Sequence, residues 1–362
     1  MTHRPIDGLR VAPSDVEGRQ PQGHPQPGRG MRLRLGTRGS QLALFQANAV
    51  STLLRARADV ECEIVVIKTS GDRLTEATLA QIGGKRLFVK EIEDALLGSD
   101  IDFAVHSSKD MPVMLPAGLV IGAVLPREDA RDAVVLPAGG GAVRGRADAS
   151  DTKVTFEELV ACLGSAPRIG TSSVRRTAQL TRLFPGAQFL PIRGNLDTRL
   201  RKLDAGDYDA LVLASAGLIR LEHRARISTA LPMPACVPAP GQGIIAIEAR
   251  VEDDRVLARV AVIDDRQSRA ALDAERTVIA RLGGGCQMPI GAHAHVSNGT
   301  ITLVAIVLSL DGARALRAES RGPMNDANEV GNAVAAELLA QGADEILANV
   351  ERAHAAVEGL QP

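Results

Sequence analysis

The sequence predicts an α/β protein of two lobes followed by a small α+β domain. Three observations carry this expectation. From Met31 to about Arg250, short apolar runs alternate with amphipathic stretches, the pattern of sheets covered by helices. That stretch has roughly 220 residues, too many for one small sheet, so two lobes are expected. Beyond about residue 265 the pattern changes to one long helix, strand-like runs and two closing helices.

Residues 1 to 30 hold five Pro and five Gly and almost nothing to bury, so disorder is expected there. A strand-like Arg32-Leu33-Arg34-Leu35 then begins at Met31. Apolar runs at 63–67, 103–105, 119–121 and 210–213 suit buried strands. Amphipathic stretches at 41–57, 86–97, 174–184 and 196–204 suit helices. The Gly- and Ala-rich segment 137–150 reads as a surface loop in the second lobe. Four Pro between residues 231 and 241 forbid a helix and suggest a crossing between lobes. A helix over 268–282 runs into Gly283-Gly284-Gly285-Cys286, followed by strands at 301–308 and 316–320. Helices over 325–341 and 343–355 finish the chain.

Composition excludes several functions. Forty-two Lys and Arg balance forty-three Asp and Glu, so the chain is not a globally basic nucleic-acid binder. Six Phe, one Tyr and no Trp make a base-stacking platform improbable. No apolar run is long enough for a transmembrane helix. Cys62, Cys162, Cys236 and Cys286 are scattered, without zinc spacing or a disulfide framework, and a cytoplasmic location is expected.

Several turns could carry chemistry. His106-Ser107-Ser108-Lys109-Asp110 follows an apolar strand, where α/β sheets place ligand-contacting residues. Lys109 could hold a carboxylate while Asp110 handles a proton; a surface ion pair is the plainer alternative. Gly170-Thr171-Ser172-Ser173-Val174-Arg175-Arg176 joins a strand to a helix, and Thr171, Ser172 and Ser173 could donate to an anion. Two Arg in a first helical turn oppose the helix dipole, which makes sense if an anion sits between them. Arg193 is read as ending a strand, with Gly194 next and Arg199 on the following helix. Gly36-Thr37-Arg38-Gly39-Ser40 is read as a turn after the opening strand, and Gly83-Gly84-Lys85 as a ligand-hugging loop. Cys286, alone on its Gly loop, is placed to be a nucleophile or an attachment point. Arg38, Lys85, Lys109, Arg175, Arg176, Arg193, Arg199 and Arg220 together would suit a small, densely anionic ligand in one cleft.

These motifs, with Gln46, Leu87-Phe88-Val89-Lys90-Glu91, Pro240-Gly241-Gln242-Gly243 and Cys286-Gln287-Met288-Pro289, resemble the porphobilinogen deaminase family over some 320 residues. The resemblance implies that four porphobilinogen molecules are joined into hydroxymethylbilane with release of four ammonia, in tetrapyrrole synthesis. It implies a dipyrromethane cofactor in thioether linkage to Cys286, and Asp110 as the catalytic carboxylate. Arg175, Arg176, Arg199, Arg220 and Lys109 would hold acidic side chains of cofactor and substrate. Arg38, Ser40 and Arg193 would touch substrate or the elongating chain. Gln46 and Lys85 would lie near that chain, and Gly194 and Gln242 belong to the same binding set.

The resemblance also implies two type II periplasmic-binding-protein-like lobes. Their boundaries would be 31–127 with 241–262, then 128–240, with the Cys-bearing domain at 263–362. A monomer is expected, with no nucleic-acid or membrane partner and a product passed to uroporphyrinogen-III synthase. Arg86, where Gly is common in the family, and the long 137–150 segment are departures; neither touches Asp110 or Cys286. Met31 is one expected true start, the alternative being a short disordered arm. The N-terminal mass of the native protein separates the two.

Overall fold

The structure, a computed structural model, describes residues 31–69, 89–139, 155–285 and 287–358. The tail 1–30, Lys85 with its Gly pair and Arg86, most of the 137–150 loop, and Cys286 lie outside the described residues.

The first lobe contains β1 (Met31–Thr37), α1 (Gln41–Ala58), β2 (Val60–Val66), α2 (Lys90–Leu97), β3 (Phe103–Ser107) and β4 (Leu119–Val124). The chain then crosses to the second lobe. That lobe contains β5 (Asp132–Val135), α3 (Phe156–Leu163), β6 (Arg168–Gly170), α4 (Val174–Thr181), β7 (Gln188–Leu190) and α5 (Leu196–Asp204). It is completed by β8 (Ala210–Ala214), α6 (Ser215–Arg220) and β9 (Thr229–Ala230). After a helix-free stretch, β10 (Ile245–Arg250) returns to the first sheet, and α7 (Asp254–Val260) packs beneath it.

The two sheets share one topology. Their strand orders are β2-β1-β3-β10-β4 and β7-β6-β8-β5-β9. In each, three parallel strands meet one antiparallel strand that comes directly from a crossing segment. This repeated arrangement gives the two α/β lobes that were expected. The central parallel strands β3 and β8 are buried on both faces, which is why they read as short unbroken apolar runs, while the edge strands β2 and β7 are partly exposed.

Helix starts follow local capping chemistry. Ser40 caps α1, Ser173 caps α4 and Asn195 caps α5, each side chain accepting a backbone N–H three residues on. Thr155 and Glu158 form a reciprocal capping box at α3. Two turns differ from expectation. β1 continues through Thr37, so Gly36 is a strand residue; it packs where a methyl group would strike Ile101. β7 ends at Leu190, so Arg193 sits in the turn before α5 rather than at a strand end.

The third domain is the antiparallel meander β11 (Ile290–Ser297), β12 (Thr300–Leu308) and β13 (Ala315–Pro323). Alternate β12 residues are buried beneath α8 (Arg266–Arg281) and α9 (Ala327–Ala340), while α10 (Ala343–Glu358) closes the core. Gly331 lets α9 approach α8 closely, since a Cβ there would meet Ala274 O at 2.6 Å. Asp265 caps α8, which starts at Arg266, two residues before the start that periodicity alone suggests. No helix among the described residues is long and apolar enough to cross a membrane.

His293 on β11 faces the junction with the first lobe. Burial pushes its imidazole down to about 4; Arg127 and His295 push the same way, and Glu275 opposes them. The unfolded chain therefore binds the extra proton between about pH 6.5 and 4, and this residue's effect on stability is a loss as pH falls through that window. His293→Gln should flatten the decline in thermal midpoint between pH 7 and 4.5. An unchanged slope would contradict the assignment.

Candidate active site

The turn after β3 is the first component. Ser108–Asp110 forms a single 3-10 turn, closed by Met111 N–H donating to Ser108 O at 3.2 Å. Ser108 N–H donates to Ile244 O at 3.0 Å, and Gln46 Nε2 donates to Ser107 Oγ at 2.8 Å. Gln46 is buried on α1, so its role here is to hold the β3 end. Asp110 is exposed at the tip of the turn, while Lys109 is half-buried. Burial pushes the Lys109 ammonium down to about 8. Arg176 and Arg175 reinforce the shift, and Asp110 and Asp132 oppose it.

The second component is a buried carboxylate missed in the sequence. Asp132, at the start of β5, is fully buried. Arg175 Nη1 donates to its Oδ2 at 2.7 Å, and Arg176 Nε donates to its Oδ1 at 2.9 Å. Gln242 Nε2 donates to the same Oδ1 at 2.9 Å, and Cys236 Sγ–H to Oδ2 at 3.3 Å. An anion does sit between the paired arginines, and it is supplied by the protein. Burial pushes the Cys236 thiol up to about 12, with the Asp132 charge adding to it, so this Cys is an inert donor. The two guanidiniums hold Asp132 well below the usual carboxylate range despite its burial. The available signal was an acid at the head of the apolar run Ala133-Val134-Val135-Leu136.

The third component is α5 and the turn before it. Arg199 Nε donates to Gly194 O at 2.9 Å, across a turn in which Gly194 has φ +104°. Burial lowers the Arg199 guanidinium; Arg176 and Arg193 push the same way and Asp110 opposes, so these groups share one neighbourhood. Ser172 locks this turn to α4 by donating to Ile192 O at 2.8 Å and accepting Ile192 N–H at 2.9 Å. Thr171 Oγ1 accepts Ser173 N–H at 3.3 Å. These hydroxyls organise backbone first.

A cavity opens where both lobes and the third domain meet. Its walls include Ser108, Lys109, Ser173, Arg175, Pro240, Arg276, Gly285 and Met288. Arg175 Nε and Ser108 Oγ are buried and have no hydrogen-bond partner among the described residues. Unpaired buried donors are costly, so a cavity bearing them suits an anionic, hydrogen-bonding occupant. Gly285 and Met288 bracket Cys286 in sequence, so the expected attachment loop borders this cavity. Arg276 on α8 donates to Pro112 O and Val113 O at 3.0 and 2.6 Å, gripping the chain just past Asp110. Sequence reasoning missed Arg276; solvated charge and buried grip look alike in a helical stretch.

Other expected residues lie elsewhere. Arg220 donates to Gly243 O at 2.7 Å, at the crossing between the lobes, and burial pushes its guanidinium down to about 10 against the pull of Glu128. Arg38 is half-buried at the β1–α1 turn, beside the cap residue Ser40. Asp132→Ala should cost about 3–5 kcal/mol, because it leaves two buried guanidiniums without their charge partner. Denaturant unfolding measures this, and a loss below about 1 kcal/mol would contradict it.

Comparison with known proteins supplies the lineage. Residues 33–258 match the family model "porphobilinogen deaminase, dipyromethane cofactor binding domain", and residues 270–340 match the C-terminal domain of the same family. A porphobilinogen deaminase of Desulforudis audaxviator is 49% identical over 317 residues, covering 87% of this chain and 97% of its own. That of Synechococcus elongatus is 44% identical over 316 residues, covering 87% and 94%. Among solved structures, the Bordetella pertussis BvgS VFT2 domain covers 69% of this chain and 92% of its own, at 16% identity and a TM-score of 0.37. An ancestral cationic amino acid solute binding protein covers 64% and 87%, at 16% identity and the same TM-score of 0.37. Those scores are too low to carry an argument, and the assignment rests on the sequence matches. On their extent and identity, the chain belongs to the porphobilinogen deaminase family.

Proposed function

We propose that this chain joins four porphobilinogen molecules into hydroxymethylbilane with release of four ammonia, using Asp110 as catalytic carboxylate and Cys286 as cofactor attachment point. One observation carries this reading: the Asp110 turn, the Arg175 wall and the segment flanking Cys286 converge on a single cavity.

The residues present fit dipyrromethane. Each of its pyrroles bears two carboxylates, and the residues lining the cavity include Lys109, Arg175, whose Nε has no partner among the described residues, and Ser108, whose Oγ has none there either. Arg175, Arg176, Arg199 and Lys109 would hold those carboxylates, with Thr171, Ser172 and Ser173 shaping the wall. When bound, the cofactor supplies the nucleophilic pyrrole carbon on which the product grows.

The chain's own residues do the rest. Four cations, Lys109, Arg175, Arg176 and Arg199, face two carboxylates, Asp110 and Asp132, so a positive excess remains for acidic substrate. Asp132 holds the paired guanidiniums in fixed planes, which spares their ordering cost when a ligand arrives. Arg38, Ser40, Arg193 and Gly194 would orient the incoming molecule, with Gln46 and Lys85 beside the growing chain. Loss of ammonia from the substrate leaves positive charge on its pyrrole ring. Asp110, exposed at a turn held by Ile244, Gln46 and Arg276, is placed to stabilise that charge and to accept the ring proton released afterwards. Arg220 and Gln242 act at the crossing between lobes.

The functional units in this reading are 31–127 with 241–262, 128–240, and 263–362. The protein acts as a cytoplasmic monomer and its product is passed to uroporphyrinogen-III synthase.

Intact mass is the first test. The wild type should carry an excess equal to two linked pyrrole units, and Cys286→Ala should not. A wild type that stays unmodified after porphobilinogen is added would overturn the reading. Asp110→Asn should fold normally and lose roughly 10²–10⁴-fold in turnover. Near-normal activity would remove Asp110 from its role.

A further inference from the structure

The first lobe contains a buried ionisable pair that the proposed chemistry does not use. His106 on β3 and Glu248 on β10 are 5% and 0% exposed. His106 Nε2 lies 3.0 Å from Glu248 Oε2. Neither carboxylate oxygen, nor His106 Nε2, has a hydrogen-bond partner among the described residues, so this close contact is the polar company Glu248 has there. A buried carboxylate with one partner is an expensive arrangement, and apolar replacement of such pairs is often neutral or stabilising. Fold stability therefore does not account for it.

Its position does. In the β3–β10 ladder His106 pairs with Ala246, and Glu248 with Ala104, so the contact runs diagonally across the ladder. His106 shares the face of Ala104, which packs against Ile92 and Leu96 of α2. The residue after His106 is Ser107, held by Gln46; then come Ser108, Lys109 and Asp110. On its other edge β10 changes register against β4 between Ile247 and Glu248, so the charge enters the sheet at an irregular point.

We propose that the His106–Glu248 pair is a positioning device that fixes the end of β3 and thereby the placement of Lys109 and Asp110. This rests on the role proposed above for Asp110. The pair resists sliding of β3 along β10, because any slip breaks the 3.0 Å contact and leaves a buried carboxylate without its partner inside the sheet. Apolar side chains of equal volume would fill the same space without specifying that register.

The test is a double variant, His106→Leu with Glu248→Met, measured beside Glu248→Gln and Asp110→Asn. For the double variant we expect a thermal midpoint within about 4 °C of wild type or above it. The mass excess on Cys286 should persist, and kcat should fall by about tenfold or more with KM little changed. A kcat within about twofold of wild type would overturn the proposal. So would a kcat loss matched by an equal loss of folded protein. If the double variant does not fold, Glu248→Gln, which keeps volume and removes charge, is read by the same criteria. An active Asp110→Asn would sink the role of Asp110 itself; an inactive one beside a fully active pair variant would sink only the positioning role.

Discussion

Asp132 is the group on which the site depends. One carboxylate, removed from water, receives hydrogen bonds from Arg175, Arg176, Gln242 and Cys236. These donors come from α4, from the Pro-rich stretch before β10, and from the return crossing. Burying so much charge is tolerable only because opposite charge and directed donors arrive together. The arrangement turns two long, flexible side chains into fixed walls. It also binds the outgoing crossing, through Ala130 and Asp132, to the returning one through Gln242.

Helix α8 plays the corresponding part for the third domain. Glu275 accepts from Arg127 Nη1 at 2.6 Å and from Gly241 N–H at 2.6 Å, so its carboxylate sits against both crossings. The next residue, Arg276, holds the carbonyls past Asp110. One helical turn thus addresses the lobe crossings and the chain just past Asp110 together, and the same helix leads into the Gly-rich segment that contains Cys286 in sequence.

Much of this was visible in the sequence, for physical reasons. The buried parallel strands had to be unbroken apolar runs, and α5 over Leu196–Asp204 coincides with its amphipathic stretch. Short elements escaped: α6 has six residues and β9 has two, too few to show a period. Asp110 was singled out by its place just past an apolar strand, and Cys286 by its setting on a Gly-rich loop. Asp132, Glu248 and Arg276 were not, because their partners lie far away in the chain, as the 43-residue separation of Arg175 from Asp132 shows. The contact of Arg220 with a carbonyl 23 residues on was likewise not legible, because charge and position on a helix end are readable and a distant carbonyl is not.

The doubled sheet topology has a mechanical consequence. Each crossing feeds directly into an antiparallel strand flanked on both sides, so bending cannot be absorbed within either sheet. Two covalent tethers side by side, stitched where Glu128 N–H meets Gly243 O at 3.0 Å, define a line rather than a point. Attachment along a line favours rotation of one lobe against the other over shear. Glu275 clamps the third domain to the same line, and the segment flanking Cys286 borders the cavity beside Ala239 and Pro240. Gly285 and Met288 share that cavity wall with Ser108 and Lys109 of the first lobe and Arg175 of the second. Rotation of the lobes about that line would vary the gap between Ser108 and Lys109 on one side of the cavity and Arg175 on the other.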